Sequence, residues 1–151
     1  MPGPRWSQAQ HPEVDVDLDE ALAVVRKQHR AVMSTLRSDG TPQMTPVLVT
    51  TDSAGHVTVS TVAGSAKVRN LRRRPHAWLC VLPDQFFGRW IQVEGDVEIV
   101  GLPDAMPLLE EYYRGISGEH EDWNAYRQAM RDEHRVLLRI TPTRAVDSPT
   151  R

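Results

Sequence analysis

Five cationic side chains fall within eight residues in the middle of the chain: Lys67, Arg69, Arg72, Arg73 and Arg74. The segment that carries them predicts a short helix over residues 66–73, because Pro75 disfavours helical backbone in the residue before it. A helix that begins there places Lys67 in its first turn. Free backbone N–H groups and the positive end of the helix dipole favour an anion at that position.

The neighbours of Lys67 suit the same chemistry. Gly64 gives a flexible approach to the helix, and Ser65 offers a hydroxyl donor. Asn70 follows Lys67 by three residues, so both lie on the same helical face. The segment 60–75 therefore predicts a cradle for a phosphate group.

Two other interpretations of the cations stay open. One is a solvated basic surface without a ligand, which is the usual meaning of a run of charges. The other is a nucleic-acid patch, but no aromatic stacking platform interleaves the run. The formal net charge of −2 also gives no overall basic field.

Other chemically reactive or aromatic residues give weaker evidence of a functional site. The six histidines lack the spacing that puts two metal ligands on one helical face, so no metal site is predicted. Cys80, the single cysteine, lies in an apolar run and is interpreted as a small hydrophobe. Tyr112 and Tyr113 are interpreted as packing residues of an amphipathic helix. Phe86 and Phe87 fit either a substrate mouth or a dimer contact.

The elements that must position these residues follow from hydrophobic periodicity and turn signals. Helices are predicted over 18–28, 66–73, 103–114 and 121–133, and strands over 31–36, 43–50, 56–62, 77–82, 89–100 and 136–141. Pro46 marks an edge or a bulge, and Gly95 marks a bend or bulge. Tight turns between strands predict an antiparallel sheet of six or so strands. The fold class is mainly β with flanking helices, closed or nearly closed into a small barrel.

At 151 residues the chain has the size of one domain. We predict a domain over 15–146, a flexible N-terminal tail over 1–14 and a flexible C-terminal tail over 147–151. The N-terminus lacks a signal-peptide pattern, and no apolar run approaches the length of a membrane span. We therefore expect a cytoplasmic protein with neither membrane nor nucleic acid as a partner.

Three passages resemble the pyridoxamine 5′-phosphate oxidase-like, flavin-reductase-like split β-barrel family. Residues 36–43 (LRSDGTPQ) resemble its first hairpin, and residues 66–75 (AKVRNLRRRP) resemble its "K-x-x-N-L-x-x-x-P" helix. Residues 118–123 (GEHEDW), 126–130 (YRQAM) and 135–138 (RVLL) are similar to the C-terminal region of members that use the deazaflavin coenzyme F420. The first two passages occur across the family, and the third indicates the F420-dependent branch.

The resemblance implies a homodimer that binds its cofactor in a groove between the subunits. Lys67 would contact the phosphate, with Asn70 and Ser65 nearby. Many relatives carry an arginine where this chain has Ser65, which leaves the strength of the phosphate contact open. The ring would lie along two strands and under an aromatic residue of the partner subunit, which implicates Gln43, Thr45, Pro46, Val47, Ser60, Thr61 and Trp90.

The implied function is an F420-dependent oxidoreductase that transfers a hydride between the deazaflavin and a small conjugated organic acceptor. The cofactor supplies the difficult chemistry, and the protein positions and shields it. No side chain stands out as an acid, so the proton is expected to come from solvent. The alternatives are an FMN-binding protein of the same family and a cofactor-binding or storage protein without its own substrate.

Overall fold

The structure, a computed structural model, describes residues 13–147. The predicted tail residues 1–12 and 148–151 lie outside this range. In chain order the elements are β1 (Val14–Asp15), α1 (Leu18–Val25), β2 (Arg30–Leu36), β3 (Pro42–Leu48), β4 (Thr50–Thr51), β5 (Val57–Val62), α2 (Ala66–Arg73), β6 (His76–Leu82), β7 (Ile91–Val100), α3 (Ala105–Ser117), α4 (Trp123–Asp132) and β8 (Arg135–Asp147).

All strand pairs among the described residues are antiparallel, in the order β3-β2-β6-β7-β8-β5-β4, with β1 added to β8. Strands β3 and β4 stand at opposite ends of this order although only Val49 separates them in the chain. The sheet therefore curls, so that the continuous segment 42–51 forms the strands at both of its ends. This confirms the predicted mainly β, split-barrel fold with flanking helices.

The barrel encloses the main hydrophobic core, and a smaller core lies outside it. Inward side chains from six strands and from α1 and α2 form the first, including Met33, Val59, Leu71 and Leu138. Leu137, next to Leu138 on β8, points the other way and packs beneath α3 and α4 with Leu109 and Tyr126. Because neighbouring residues of a strand face opposite sides, β8 separates the two cores.

Pro46 and Gly95 mark irregular points of the sheet, as the sequence predicts. Pro46 lies on β3, which pairs only with β2 among the described strands and so forms an edge. The pairing of β7 with β8 shifts register between Glu94 and Gly95. A Cβ atom at Gly95 would stand 2.0 Å from the carbonyl oxygen of Thr141, so the close approach of the two strands requires glycine.

The predicted boundaries fail mainly at the end of the chain. Strand β8 continues to Asp147 rather than ending near Thr141, because its second half pairs with the first half of β7. Val14 pairs with Asp147, so the strands reach one residue beyond each predicted domain boundary. Asp147 is buried rather than part of a free tail, and it accepts a hydrogen bond from Arg89. Among the described residues, no helix combines the length and the apolar character that crossing a membrane requires.

Candidate functional site

Helix α2 begins at Ala66 as the sequence predicts, and the structure shows that Ser65 caps it. Ser65 Oγ accepts a hydrogen bond from the backbone N–H of Val68 at 3.3 Å and another from Thr61 Oγ1 at 3.3 Å. A hydroxyl whose oxygen accepts two bonds keeps its own proton for donation. Ser65 therefore fixes the start of the helix and still presents a donor beside Lys67.

The side chain of Lys67 turns back across the barrel to β3. Its Nζ donates a hydrogen bond to Thr45 Oγ1 at 3.2 Å. Burial lowers the pKa of the Lys67 amine, and the nearby Arg135 guanidinium lowers it further. No carboxylate among residues 13–147 forms an ion pair with Lys67. A half-buried cation that lacks a carboxylate partner and has a second cation close by favours an anion.

Two buried polar atoms near this cation have no hydrogen-bond partner in the described chain: Gln43 Oε1 and Arg135 Nε. Gln43 lies two residues before Thr45 on the same side of β3. Arg135 opposes Val62 at the end of β5 and carries its own ion pair with Glu133. Buried polar groups without partners are rare, and each calls for a partner or a function. Arg135 Nε is a donor and, with the Lys67 amine, fits a negatively charged group, whereas Gln43 Oε1 is an acceptor and fits a polar donor.

The open edge of β3 is held at a second point. Tyr112 on α3 donates a hydrogen bond from its hydroxyl to the carbonyl oxygen of Leu48 at 3.0 Å. The N–H and C=O of one residue point to the same edge of an antiparallel strand, and the edge alternates along the chain. The carbonyl of Pro46, two residues earlier, therefore faces this open edge as well. A proline is tolerated here because β2 needs no N–H from this position.

The remaining predicted site residues on the strands differ in how far they are open to a ligand. Ser60 is half-buried on β5, and its backbone lies close enough to the Tyr112 hydroxyl to lower the pKa of that phenol. Thr61 is buried and faces Ser65. The side chain of Val47 packs against the barrel core, and its N–H and C=O face β2, because they alternate with those of Pro46 and Leu48. Contact of Val47 with a ligand stays a prediction. Lys67, Ser65, Thr45, Ser60 and Thr61 thus border one split between β3 and β5.

Asn70 does not present a free amide. It is 5% exposed, and its Nδ2 donates to the hydroxyl of Thr35 at 3.1 Å. Its Oδ1 accepts from Arg73 at 2.7 Å. The Asn70 side chain therefore ties α2 to β2 and to its own last turn, and direct contact with a ligand stays a prediction.

The trailing arginines remain on the surface. Arg69, Arg72, Arg73 and Arg74 are all exposed. Arg69 donates to the carbonyl of Gly64 and Arg73 donates to Asn70, whereas no ion pair within residues 13–147 involves any of the four. Their positive charge reinforces the field around Lys67 without a contact that singles one out.

Trp90 stands apart from this cluster. It is half-buried and lies one residue before β7, which is three places from β3 in the strand order. Arg89 anchors this point through bonds to Asp147 and Glu20. Phe86 and Phe87, in the preceding loop, are 83% and 70% exposed and stack edge to face. Within a single chain, Trp90 therefore does not close the split.

A separate groove of about 600 Å³ runs between α1, α3 and the turn after β4. None of the predicted site residues lines it. Its walls carry both charge signs, from Arg26 and Arg114 against Asp19, Asp52 and Glu111, so it does not select an anion. No group of three or more His, Cys, Asp or Glu side chains within residues 13–147 is placed to hold a metal ion.

Two residues of the split were not predicted as site residues. Arg135 appeared only inside the C-terminal passage, and its position beside Lys67 depends on the pairing of β8 with β5. Tyr112 was interpreted as packing, because helical periodicity cannot show that α3 crosses the end of β3. Nothing local distinguishes Tyr112 from Tyr113, and only the tertiary arrangement does.

A family model described as pyridoxamine 5′-phosphate oxidase matches residues 18–147, so the chain belongs to that family. This confirms the resemblance drawn from the motifs. A curated relative from Mycobacterium tuberculosis (strain CDC 1551 / Oshkosh), the F420H(2)-dependent biliverdin reductase, is 30% identical over 131 residues. The match covers 86% of this chain and 87% of the relative.

Solved structures share the fold. A conserved hypothetical protein from Mycobacterium tuberculosis superposes with a TM-score of 0.70 at 23% identity, covering 88% of this chain and 85% of the other. A structure described as an F420 reductase gives a TM-score of 0.62 at 24% identity, covering 82% of this chain and 93% of that one. These likenesses establish the split-barrel fold.

Proposed function

We propose that this protein is an F420-dependent oxidoreductase that transfers a hydride between the deazaflavin and a small conjugated organic acceptor. The observation that carries the proposal is the half-buried Lys67 at the start of α2, which has a hydroxyl partner but no carboxylate within the described chain. The F420-dependent curated relative supports the choice of cofactor.

Lys67, Ser65 and Arg135 would bind the phosphate. Lys67 and Arg135 supply charge, and Ser65 supplies a hydroxyl proton next to the free backbone N–H groups of the first helical turn. The serine replaces the arginine that many relatives carry at this position. Arg135 and the exposed Arg69 provide compensating positive charge nearby.

The ring would lie in the split between β3 and β5. The edge carbonyl of Pro46 and the main chain of Ser60 and Thr61 would offer hydrogen bonds along it, and Gln43 Oε1 is a buried acceptor still without a partner in the described chain. Main-chain groups on paired strands are rigid, which suits the precise placement of a flat ring.

Bound F420 would supply hydride chemistry to an organic acceptor. The protein's contribution is to bind, orient and keep water from the face at which the acceptor arrives. The described residues place no carboxylate or histidine beside Lys67, Thr45 and Ser60, so solvent remains the proposed source of the proton.

We infer a homodimer that completes this site. On the outward face of β3, β2 and β6, Pro46, Val32 and Cys80 form an apolar row of direct cross-strand neighbours. Met44 and Leu48 on the same face are 64% and 48% exposed, and their own rows also carry Ser34 and Arg30. Exposed apolar side chains grouped on one face favour a partner. In such a dimer the partner's Trp90 would cover the ring site.

A redox assay tests the function. The protein is mixed anaerobically with reduced F420 and a panel of conjugated acceptors, including biliverdin as a probe, and cofactor oxidation is followed by absorbance. Saturable turnover with at least one acceptor supports the oxidoreductase. Tight binding of F420 without turnover of any acceptor favours the storage protein, and binding of FMN in preference to F420 favours the FMN-binding alternative.

A further inference from the structure

The split between β3 and β5 carries no backbone hydrogen bond to hold its width. Strand β3 pairs with β2, and β5 pairs with β4 and β8, but no ladder among the described residues joins β3 to β5. A flat ligand inserted between two unpaired strands depends on their spacing. At one end the chain itself limits that spacing, because β3 continues through Val49 into β4 and β4 pairs with β5. Side-chain contacts must supply any further restraint on the split.

Two side chains from outside the sheet contact β3 at separate points. Lys67 of α2 donates to Thr45 Oγ1, and Tyr112 of α3 donates to the carbonyl oxygen of Leu48. The segment between these two points contains Pro46 and Val47, which are predicted to contact the ring. The two contacts bracket that segment, one at each end.

Tyr112 also lies against the opposite side of the split. Its helix, α3, packs on β5 and β8, and the backbone of Ser60 on β5 is close enough to the hydroxyl to affect its pKa, so α3 links the end of β3 to β5. Burial raises the pKa of the Tyr112 phenol, while the Ser60 contact and Arg135 lower it and only partly offset the increase. The phenol therefore stays protonated at neutral pH and can keep donating to Leu48.

We propose that Tyr112 is a positioning residue that sets the width of the β3–β5 split and thereby the fit of the cofactor ring. The inference rests on the proposed function, because it assigns the ring to this split. It also predicts that α3, which lies outside the barrel, influences cofactor affinity without carrying a phosphate contact.

The chain offers a matched control. Tyr112→Phe and Tyr113→Phe each remove one oxygen from neighbouring positions of the same helix. Tyr113 packs with the rings of His120, Trp123 and Tyr126, contacts that phenylalanine keeps. The two variants therefore separate loss of the hydrogen bond to Leu48 from a general effect of altering α3.

The first measurement is equilibrium titration of each variant with F420. Tyr112→Phe is expected to weaken F420 binding about three- to tenfold, the range that one hydrogen bond of ordinary net strength allows. Tyr113→Phe should bind like wild type. If wild type binds F420 and the two variants bind equally well, the positioning role is wrong and the proposed function stands.

The second measurement needs no cofactor. Hydrogen exchange in the unliganded protein is followed in peptides that cover β3 and β5. Tyr112→Phe should exchange several-fold faster than Tyr113→Phe in both strands, with little difference in β6 and β7. Equal exchange in the two variants would overturn the inference. If wild type binds neither F420 nor FMN, the proposed function fails, and this exchange comparison still decides whether Tyr112 holds the split.

Discussion

The amine of Lys67 on α2 donates a 3.2 Å hydrogen bond to the hydroxyl of Thr45 on β3, across a split that no backbone ladder bridges. This contact joins the predicted phosphate cradle to the predicted ring-binding strand. A cation that rests on a neutral hydroxyl loses little when it turns to a phosphate oxygen, because a charged acceptor makes the stronger hydrogen bond.

Binding of F420 should weaken at alkaline pH because Lys67 must be charged. Burial and the nearby Arg135 lower the pKa of Lys67 from its usual value of 10.5, so the amine loses its proton earlier than an exposed lysine does. We expect the dissociation constant to rise as pH increases through that lowered pKa. Lys67→Arg, which stays charged, should flatten the alkaline loss. Parallel losses in both proteins would exclude Lys67 as the titrating group.

Ser65 combines two roles that substitutions can separate. Ser65→Ala removes the cap of α2 and should lower the free energy of unfolding by about 1 kcal/mol. Ser65→Asp keeps a capping oxygen and should retain stability, but its negative charge should repel the phosphate and weaken F420 binding more than alanine does. Urea unfolding and cofactor titration of both variants provide the test. A weaker effect of aspartate than of alanine on binding would contradict the phosphate assignment.

Asn70 should act mainly on stability. Asn70→Ala leaves the buried hydroxyl of Thr35 without its donor, which is expected to cost about 1–3 kcal/mol. Thr35→Val removes the other partner, so the double variant should lose less than the sum of the two single losses. Denaturant unfolding of the four proteins measures this coupling. Strictly additive losses would mean that the hydrogen bond contributes nothing to stability.

His76 should make stability depend on pH. Burial alone lowers the pKa of this imidazole, but hydrogen bonds to Asp96 and Glu94 outweigh it and leave the pKa raised. The protonated form is therefore favoured by folding. Its contribution is fully present below the unfolded pKa of about 6.5 and is lost as pH rises through the higher folded pKa.

Urea unfolding of wild type and His76→Gln at several pH values checks this dependence. The advantage of wild type should be largest at about pH 6 and should shrink towards about pH 9. Removing both acceptors, by Glu94→Gln with Asp96→Asn, should abolish the pH dependence. A stability advantage of wild type over His76→Gln that grows as pH rises would contradict a raised pKa of His76.

The sequence predicts the helix that carries Lys67, because the helix stop at Pro75 acts locally. The capping role of Ser65 comes from the structure. The last strand was predicted too short, since residues after Thr141 gain their order from pairing with distant β7. The spacing of three residues predicts that Asn70 and Lys67 share a helical face, yet the Asn70 side chain is buried against Thr35. Arg135 and Tyr112 join the split only through tertiary packing, which local patterns do not encode.

The proposed function depends most directly on the binding of F420 at Lys67. Equilibrium titration with F420 and with FMN is performed on wild type, Lys67→Ala and Arg72→Ala, the last removing one exposed cation from the same helix. We predict that F420 binds more tightly than FMN, and that Lys67→Ala weakens F420 binding about tenfold or more, as loss of a charged hydrogen bond should. Arg72→Ala should bind nearly as well as wild type. Failure of both cofactors to bind at micromolar protein, or equal weakening by the two substitutions, would contradict a cofactor site at Lys67.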